Sequence, residues 1–151
     1  ALDWFGPAQV VSAQIRSIRG DSEDDVVLTL KHDCGVDSYL SASAIAGNPG
    51  PRIRLLGREG ALVIEDLDPQ EALLRAGDFP EGGTWKVPTT SRAFIYKGDA
   101  KEEITGIPGN YGAFYLAVKA ALTDGAAWPI SQEEVLAVAR IIDRAREINA
   151  R

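Results

Sequence analysis

Gly109-Asn110-Tyr111-Gly112-Ala113-Phe114-Tyr115-Leu116-Ala117-Val118-Lys119-Ala120-Ala121-Leu122 is the stretch on which the fold turns. Pro108-Gly109 stops whatever precedes it, and Asn110 suits an N-cap, its side-chain oxygen accepting an orphan amide of the first turn. Strong helix formers and aromatics follow, and Gly125 sits where a C-terminal stop belongs. Only Lys119 is charged between Tyr111 and Leu122, a pattern that predicts a buried helix covered on several sides. Phe114, Tyr115, Leu116, Val118 and Leu122, at about 1.5–3 kcal/mol each, set a gross upper bound on the order of 10 kcal/mol for that burial. Something flat and apolar must cover such a helix, and the residues before it read as a sheet.

A chain of 151 residues, 45% hydrophobic, is long enough for one well-packed domain and short for two. A net charge of −6 argues against a general phosphate-binding surface, so no nucleic-acid partner is expected. The single cysteine, Cys34, has no intramolecular disulfide partner, which fits a reducing cytoplasm. No apolar run approaches the ~20 residues of a membrane helix, and no signal-peptide layout opens the chain. Ala1-Leu2-Asp3-Trp4-Phe5-Gly6-Pro7 reads as the last turn of a helix with its Gly stop, from which we expect a fragment of something longer.

Gln9 to Arg19 alternates, with Val11, Ala13 and Ile15 on one face and Ser12, Gln14 and Arg16 on the other, as a half-buried strand does. After the polar loop Gly20 to Asp25, Val26 to His32 is a second strand, with Val26, Leu28 and Leu30 on one face. Asp33-Cys34-Gly35 turns into a third strand, Val36 to Ala44, whose small residues suit sheet packing or a close approach by a ligand. Gly47-Asn48-Pro49-Gly50-Pro51 breaks the chain. Arg52 to Leu56 and Ala61 to Asp66 form a hairpin around Gly57-Arg58-Glu59-Gly60. Asp68 caps a short helix, Pro69 to Ala76, with Gly77 after it. Trp85 to Val87 reads as a short edge strand; Trp85 either anchors its Gly-rich loop or covers a cleft mouth. Arg92 to Tyr96 and Glu102 to Ile107 pair through Lys97-Gly98-Asp99. Ser131 and Glu134 make a capping box for a last helix, with Val135, Val138, Ala139, Ile142 and Ala145 down one face. The plan is α+β: a large, mainly antiparallel open sheet with two long C-terminal helices packed on one face.

The residues show a fold and no reaction. His32, the only histidine, has no second His or Cys spaced as a metal ligand, and we expect it solvated or hydrogen-bonded. Cys34 has no His neighbour of known geometry, and the acidic runs Glu23-Asp24-Asp25 and Glu102-Glu103 lack calcium-loop spacing. Neither G-x-G-x-x-G after a strand nor G-x-x-x-x-G-K-[ST] occurs. No two carboxylates are placed to face each other as a hydrolase requires.

One ordered set of residues resembles a known family. It comprises Asp24-Asp25 leading a strand, Gly35 in the hairpin, Pro51-Arg52-Ile53-Arg54 with Leu56-Gly57-x-x-Gly60, and Asp68-Pro69-Gln70-Glu71; Pro108-Gly109-Asn110-Tyr111 and Pro129-Ile130-Ser131 with its helix complete it. In this order they resemble the C-terminal half of the Gfo/Idh/MocA oxidoreductases, the scyllo-inositol dehydrogenase-like branch above all. The resemblance implies a C-terminal domain of the dihydrodipicolinate reductase and glyceraldehyde-3-phosphate dehydrogenase kind, following a Rossmann domain that binds NAD or NADP. It implies a sugar, polyol or related hydroxyl substrate between the two domains, and a homodimer or higher homo-oligomer formed through the sheet. The family's Glu-Lys-Pro lysine lies in the nucleotide domain, and its catalytic Asp and His would fall just before Ala1, so no residue of this chain is expected to be catalytic or to bind the dinucleotide. Two roles are open for Tyr111 and Asn110: part of the substrate wall, or helix cap and sheet packing. For Asp68, Gln70 and Glu71 the choice among substrate, another subunit and their own helix is open. The alternative is a non-catalytic ligand-binding or dimerisation module with the same sheet.

Overall fold

The computed structural model describes residues 1–47, 50–66, 69–80, 91–107 and 109–150. These residues gather into two compact units, Ala1–Gly47 with Ile130–Arg151, and Asn48–Pro129. The α+β class holds, with antiparallel strands and C-terminal helices; the strands are divided between a three-stranded and a four-stranded sheet.

In the first unit, helix α1 (Leu2–Phe5) ends at Gly6, whose φ of 73° is the left-handed region that glycine tolerates. Strands β1 (Ala8–Arg16), β2 (Asp25–His32) and β3 (Asp37–Ser43) follow in the order β1-β2-β3. Their inner face is built of cross-strand rows: Ile15, Val26 and Ala42; then Ala13, Leu28 and Leu40; then Val10, Leu30 and Ser38. Val11 is a correction to the sequence reading, which put it on one face with Ala13 and Ile15. The pairing shifts between Val10 and Ser12, so Val11 is the extra residue of a bulge and is exposed, while Val10 faces inward. Side chains alternate with period two, so one inserted residue reverses the faces on either side of it.

The last helix of this unit, which the capping box starts as expected, runs Gln132–Asn149 and packs along β1. The covered stripe is Ala137, Ile141, Ala145 and Ile148. Of the stripe expected from sequence, Ala145 is buried, whereas Val135, Val138 and Ile142 are exposed. The small side chains of Ala137 and Ala145 let the helix approach β1, and polar contacts fix the approach. Asn149 Oδ1 accepts from Ile15 N at 2.8 Å and Asn149 Nδ2 donates to Ile15 O at 3.2 Å, pairing the open edge of β1 much as another strand does. Arg146 reaches Glu23 at 2.8 Å.

In the second unit, strands β4 (Ile53–Leu56), β5 (Ala61–Ile64), β6 (Arg92–Lys97) and β7 (Ala100–Thr105) pair in sequence order. One face carries Ile53, Ile64, Ala93 and Ile104 in a row, with Leu55, Leu62 and Ile95 beside it. On the other, the Lys101 ammonium lies 3.8 Å from the centre of the Phe94 ring. Between β5 and β6 lies helix α2 (Gln70–Arg75), and after β7 comes helix α3 (Tyr111–Asp124), so that the final helix, Gln132–Asn149, is α4. The expected cap Asp68 and the expected strand Trp85–Val87 lie outside the described residues.

Helix α3 has the expected ends: Asn110 Oδ1 accepts from Ala113 N at 3.0 Å, and Gly125 closes it at a φ of 68°. Its burial differs from the sequence reading. No residue of α3 is buried, and Phe114, Tyr115, Leu116 and Leu122 are all exposed. A helix apolar on every side needs cover on every side, and the described parts of its own unit half-cover only residues such as Ala117, Val118, Ala120 and Ala121.

Candidate functional site

Tyr111 and Asn110, the two residues expected at a substrate wall, stand together at the start of α3. Asn110 is the N-cap, its Oδ1 committed to the Ala113 amide, so the role of cap is real. What Asn110 has left to offer a hydroxyl compound is Nδ2, a donor. Tyr111 is 43% exposed, with a phenol that both donates and accepts. Its backbone amide, one of the orphan donors of the first turn, donates to Gln70 Oε1 at 2.8 Å.

Gln70 is the residue whose role the sequence left open. It opens α2, is 0% exposed, and crosses 41 positions of sequence to hold the start of α3. Burying a carboxamide is costly unless it is hydrogen-bonded, so such a residue is placed for its partners. The signal available in sequence was its position in Asp68-Pro69-Gln70-Glu71, but nothing local distinguishes a buried first-turn glutamine from a solvated one. Glu71, beside it, is exposed and pairs with Arg75 at 2.8 Å within its own helix. Asp68 lies outside the described residues. Asp66 with Arg92 at 2.8 Å is an exposed ion pair; hydrogen bonding to the Arg92 guanidinium holds the Asp66 carboxyl below its usual range. Asn110 and Tyr111 are therefore a neutral, exposed pair able to exchange hydrogen bonds with hydroxyl groups, with the buried Gln70 behind them holding the start of α3.

His32 belongs to the other unit and is structural. It is 2% exposed, with Nδ1 3.0 Å from Gly6 O and Nε2 2.9 Å from Ser38 Oγ. A carbonyl only accepts, so Nδ1 carries a proton; in the neutral ring Nε2 is then the acceptor for the Ser38 hydroxyl. The Cys34 thiol donates to Phe5 O at 3.3 Å and the Asp33 amide to Pro7 O at 3.1 Å, so the β2–β3 turn binds the carbonyls of Phe5, Gly6 and Pro7 in succession. Of the two states expected for His32, the hydrogen-bonded one is realised. Among the described residues no group of three His, Cys, Asp or Glu side chains is placed to hold a metal ion, and no described helix is long and apolar enough to cross a membrane.

With this geometry in place, the likeness to known proteins is specific. The model of the oxidoreductase family's C-terminal alpha/beta domain, Gfo/Idh/MocA, matches residues 1–149 and so spans both units. The chain is 30% identical over 152 residues to scyllo-inositol 2-dehydrogenase (NADP(+)) IolW of Bacillus subtilis, covering 97% of this chain and 42% of that protein. It is 25% identical over 151 residues to the uncharacterized oxidoreductase YhhX of Escherichia coli, covering 97% and 44%. The chain thus spans less than half the length of the curated relatives it matches. Among solved structures, the oxidoreductase YvaA of Bacillus subtilis superposes with a TM-score of 0.79 at 29% identity over 99% of this chain and 45% of that one. An oxidoreductase of Agrobacterium radiobacter, solved with NAD+, L-tartaric acid and magnesium, has a TM-score of 0.65 over 99% and 43%; at 15% identity that likeness shows the fold alone. The chain belongs to the Gfo/Idh/MocA oxidoreductases, as their C-terminal alpha/beta domain.

Proposed function

We propose that this chain is the substrate-facing and subunit-forming half of an NAD(P)-dependent oxidoreductase that acts on a sugar, a polyol or a related hydroxyl compound. The observation that carries the proposal is the family match over residues 1–149, together with a relative whose name specifies scyllo-inositol and NADP+. Tyr111 and Asn110 form part of the substrate wall, the phenol and the Nδ2 amide meeting substrate hydroxyls. Their exposure at the start of α3 and their lack of charge support that role for a neutral polyhydroxylated ligand.

The described elements do not fit a dinucleotide. Every strand pairing among them is antiparallel, so they lack the parallel strand–turn–helix unit whose helix start meets a pyrophosphate. At the start of α3 two first-turn amides are already committed, to Gln70 and to Asn110. The cofactor's chemistry is hydride exchange with a carbinol carbon, and in this proposal it is held by a Rossmann domain preceding Ala1, in a cytoplasmic enzyme. The division of labour is tested by titrating the 151-residue chain with NAD+ and NADP+ in a calorimeter. No saturable binding is expected; micromolar affinity for either would overturn it. A stand-alone ligand-binding or dimerisation module is the reading left if no dinucleotide domain is encoded before Ala1.

A further inference from the structure

We propose that Gln70 is a positioning residue for substrate: its buried side chain fixes where α3 begins, and thereby where Tyr111 stands. The proposal rests on the reading of Tyr111 as part of the substrate wall.

A helix start has two separate needs. Its local geometry is set by the cap, which Asn110 supplies through Ala113 N at 3.0 Å. Its placement in the unit requires a bond from elsewhere, and Gln70 Oε1 supplies one to Tyr111 N at 2.8 Å. The two bonds use different donors of the same first turn, so neither replaces the other. Tyr111 is 43% exposed, so packing alone constrains its side chain weakly and the position of its backbone matters correspondingly more. Gln70, by contrast, is 0% exposed, and a buried side chain that loses no freedom to solvent is a firm anchor. A leucine fills a similar volume but leaves the Tyr111 amide without its acceptor; a glutamate keeps the acceptor but exchanges the amide's donors for a buried negative charge.

The test uses the complete polypeptide carrying this chain, with scyllo-inositol as the probe substrate, and the variants Gln70→Leu, Gln70→Glu, Tyr111→Phe and Gln70→Leu/Tyr111→Phe. Loss of one hydrogen bond should speed exchange of the Tyr111 amide about tenfold in Gln70→Leu, while sheet amides keep their protection. KM for the inositol should rise about fivefold to tenfold with kcat within about twofold, the signature of lost ground-state binding. Gln70→Glu, which keeps the acceptor, should exchange its Tyr111 amide more slowly than Gln70→Leu, and the double variant should be no worse than the worse single one, because Gln70 acts through Tyr111. An unmoved KM in a folded Gln70→Leu, or additive losses in the double variant, would overturn the proposal. If Gln70→Leu does not fold, Gln70→Met, which keeps the unbranched length and drops the acceptor, takes its place: a raised KM with faster Tyr111 amide exchange supports the role, and wild-type KM with the fold intact removes it. A parent protein that oxidises no inositol or sugar sinks the functional reading and the positioning role together, whereas an active parent whose KM ignores Gln70 sinks the positioning role alone.

Discussion

Gly60 carries no side chain because Tyr96 leaves no room for one. A Cβ there would lie 2.4 Å from the Tyr96 carbonyl oxygen, where β5 enters its pairing with β6. Backbone cannot retreat as a flexible side chain can. Gly60→Ala is therefore expected to destabilise the second unit by about 1–3 kcal/mol, read as a lower urea midpoint. Gly20→Ala, with nothing within 4 Å of the added methyl, is the control and should leave the midpoint unmoved. Equal midpoints for the two variants would show that β5 shifts freely at its start. Other single residues reveal what a sequence displays and what it hides. Asn110, Ser131 and Gly125 act on neighbours within a few positions, so their roles were legible from spacing alone. Gln70 acts across 41 positions, and no local pattern encodes such a bond. His32 is intermediate: a hydrogen-bonded state was one of the two expected, while its hold on Gly6 depends on the turn that brings α1 to the hairpin.

At the scale of elements, α4 shows how a cap and a docking contact divide the work. The Ser131 hydroxyl accepts from Glu134 N at 3.2 Å, and Glu134 Oε2 accepts from Ser131 N at 2.7 Å. Ser131→Ala should cost about 1 kcal/mol. Hydrogen bonds from the Ser131 hydroxyl and then from its backbone amide hold the Glu134 carboxyl below its usual range. The sign follows: with the folded value below the unfolded one of about 4.3, this contribution is fully present above pH ~4.3 and is lost as pH falls through the folded value. Glu23, bonded to Arg146, Asp24, bonded to the Ile18 and Arg19 amides, and Asp25, bonded to Arg16, shift in the same direction. The first unit should therefore lose stability with acid below about pH 4, and Ser131→Ala should flatten that loss. Thermal midpoints across the acid range check it; a variant with an acid slope as steep as the parent's would contradict it. The same helix shows why its buried stripe was not legible. Apolar residues lie on more than one of its sides, and β1, held through Asn149, selects Ala137, Ile141, Ala145 and Ile148, while Arg146 pairs with Glu23 in the loop that follows β1. The bulge at Val11 is the strand counterpart, since period-two alternation carries no mark of an inserted residue.

Across the whole molecule, the α+β class and the family were legible because hairpins, caps and the ordered motifs are local. The burial of α3 was not, because an all-round apolar helix reports every neighbour it meets, and this chain leaves Phe114, Tyr115, Leu116 and Leu122 exposed. Apolar surface of that extent fits association, and a homodimer through the sheet is the proposed assembly. Sedimentation equilibrium of the complete polypeptide should show a dimer or larger species, and a clean monomer at high concentration would contradict it. The central claim is that these residues form the substrate half of a nicotinamide-dependent oxidoreductase. Its most direct test is a spectrophotometric assay of scyllo-inositol with NAD+ or NADP+, run on the complete polypeptide and on residues 1–151 alone. The account predicts inositol-dependent formation of reduced nicotinamide by the complete polypeptide and none by the shorter chain. Turnover by the shorter chain, or silence of the complete polypeptide with inositols and sugars alike, would contradict it.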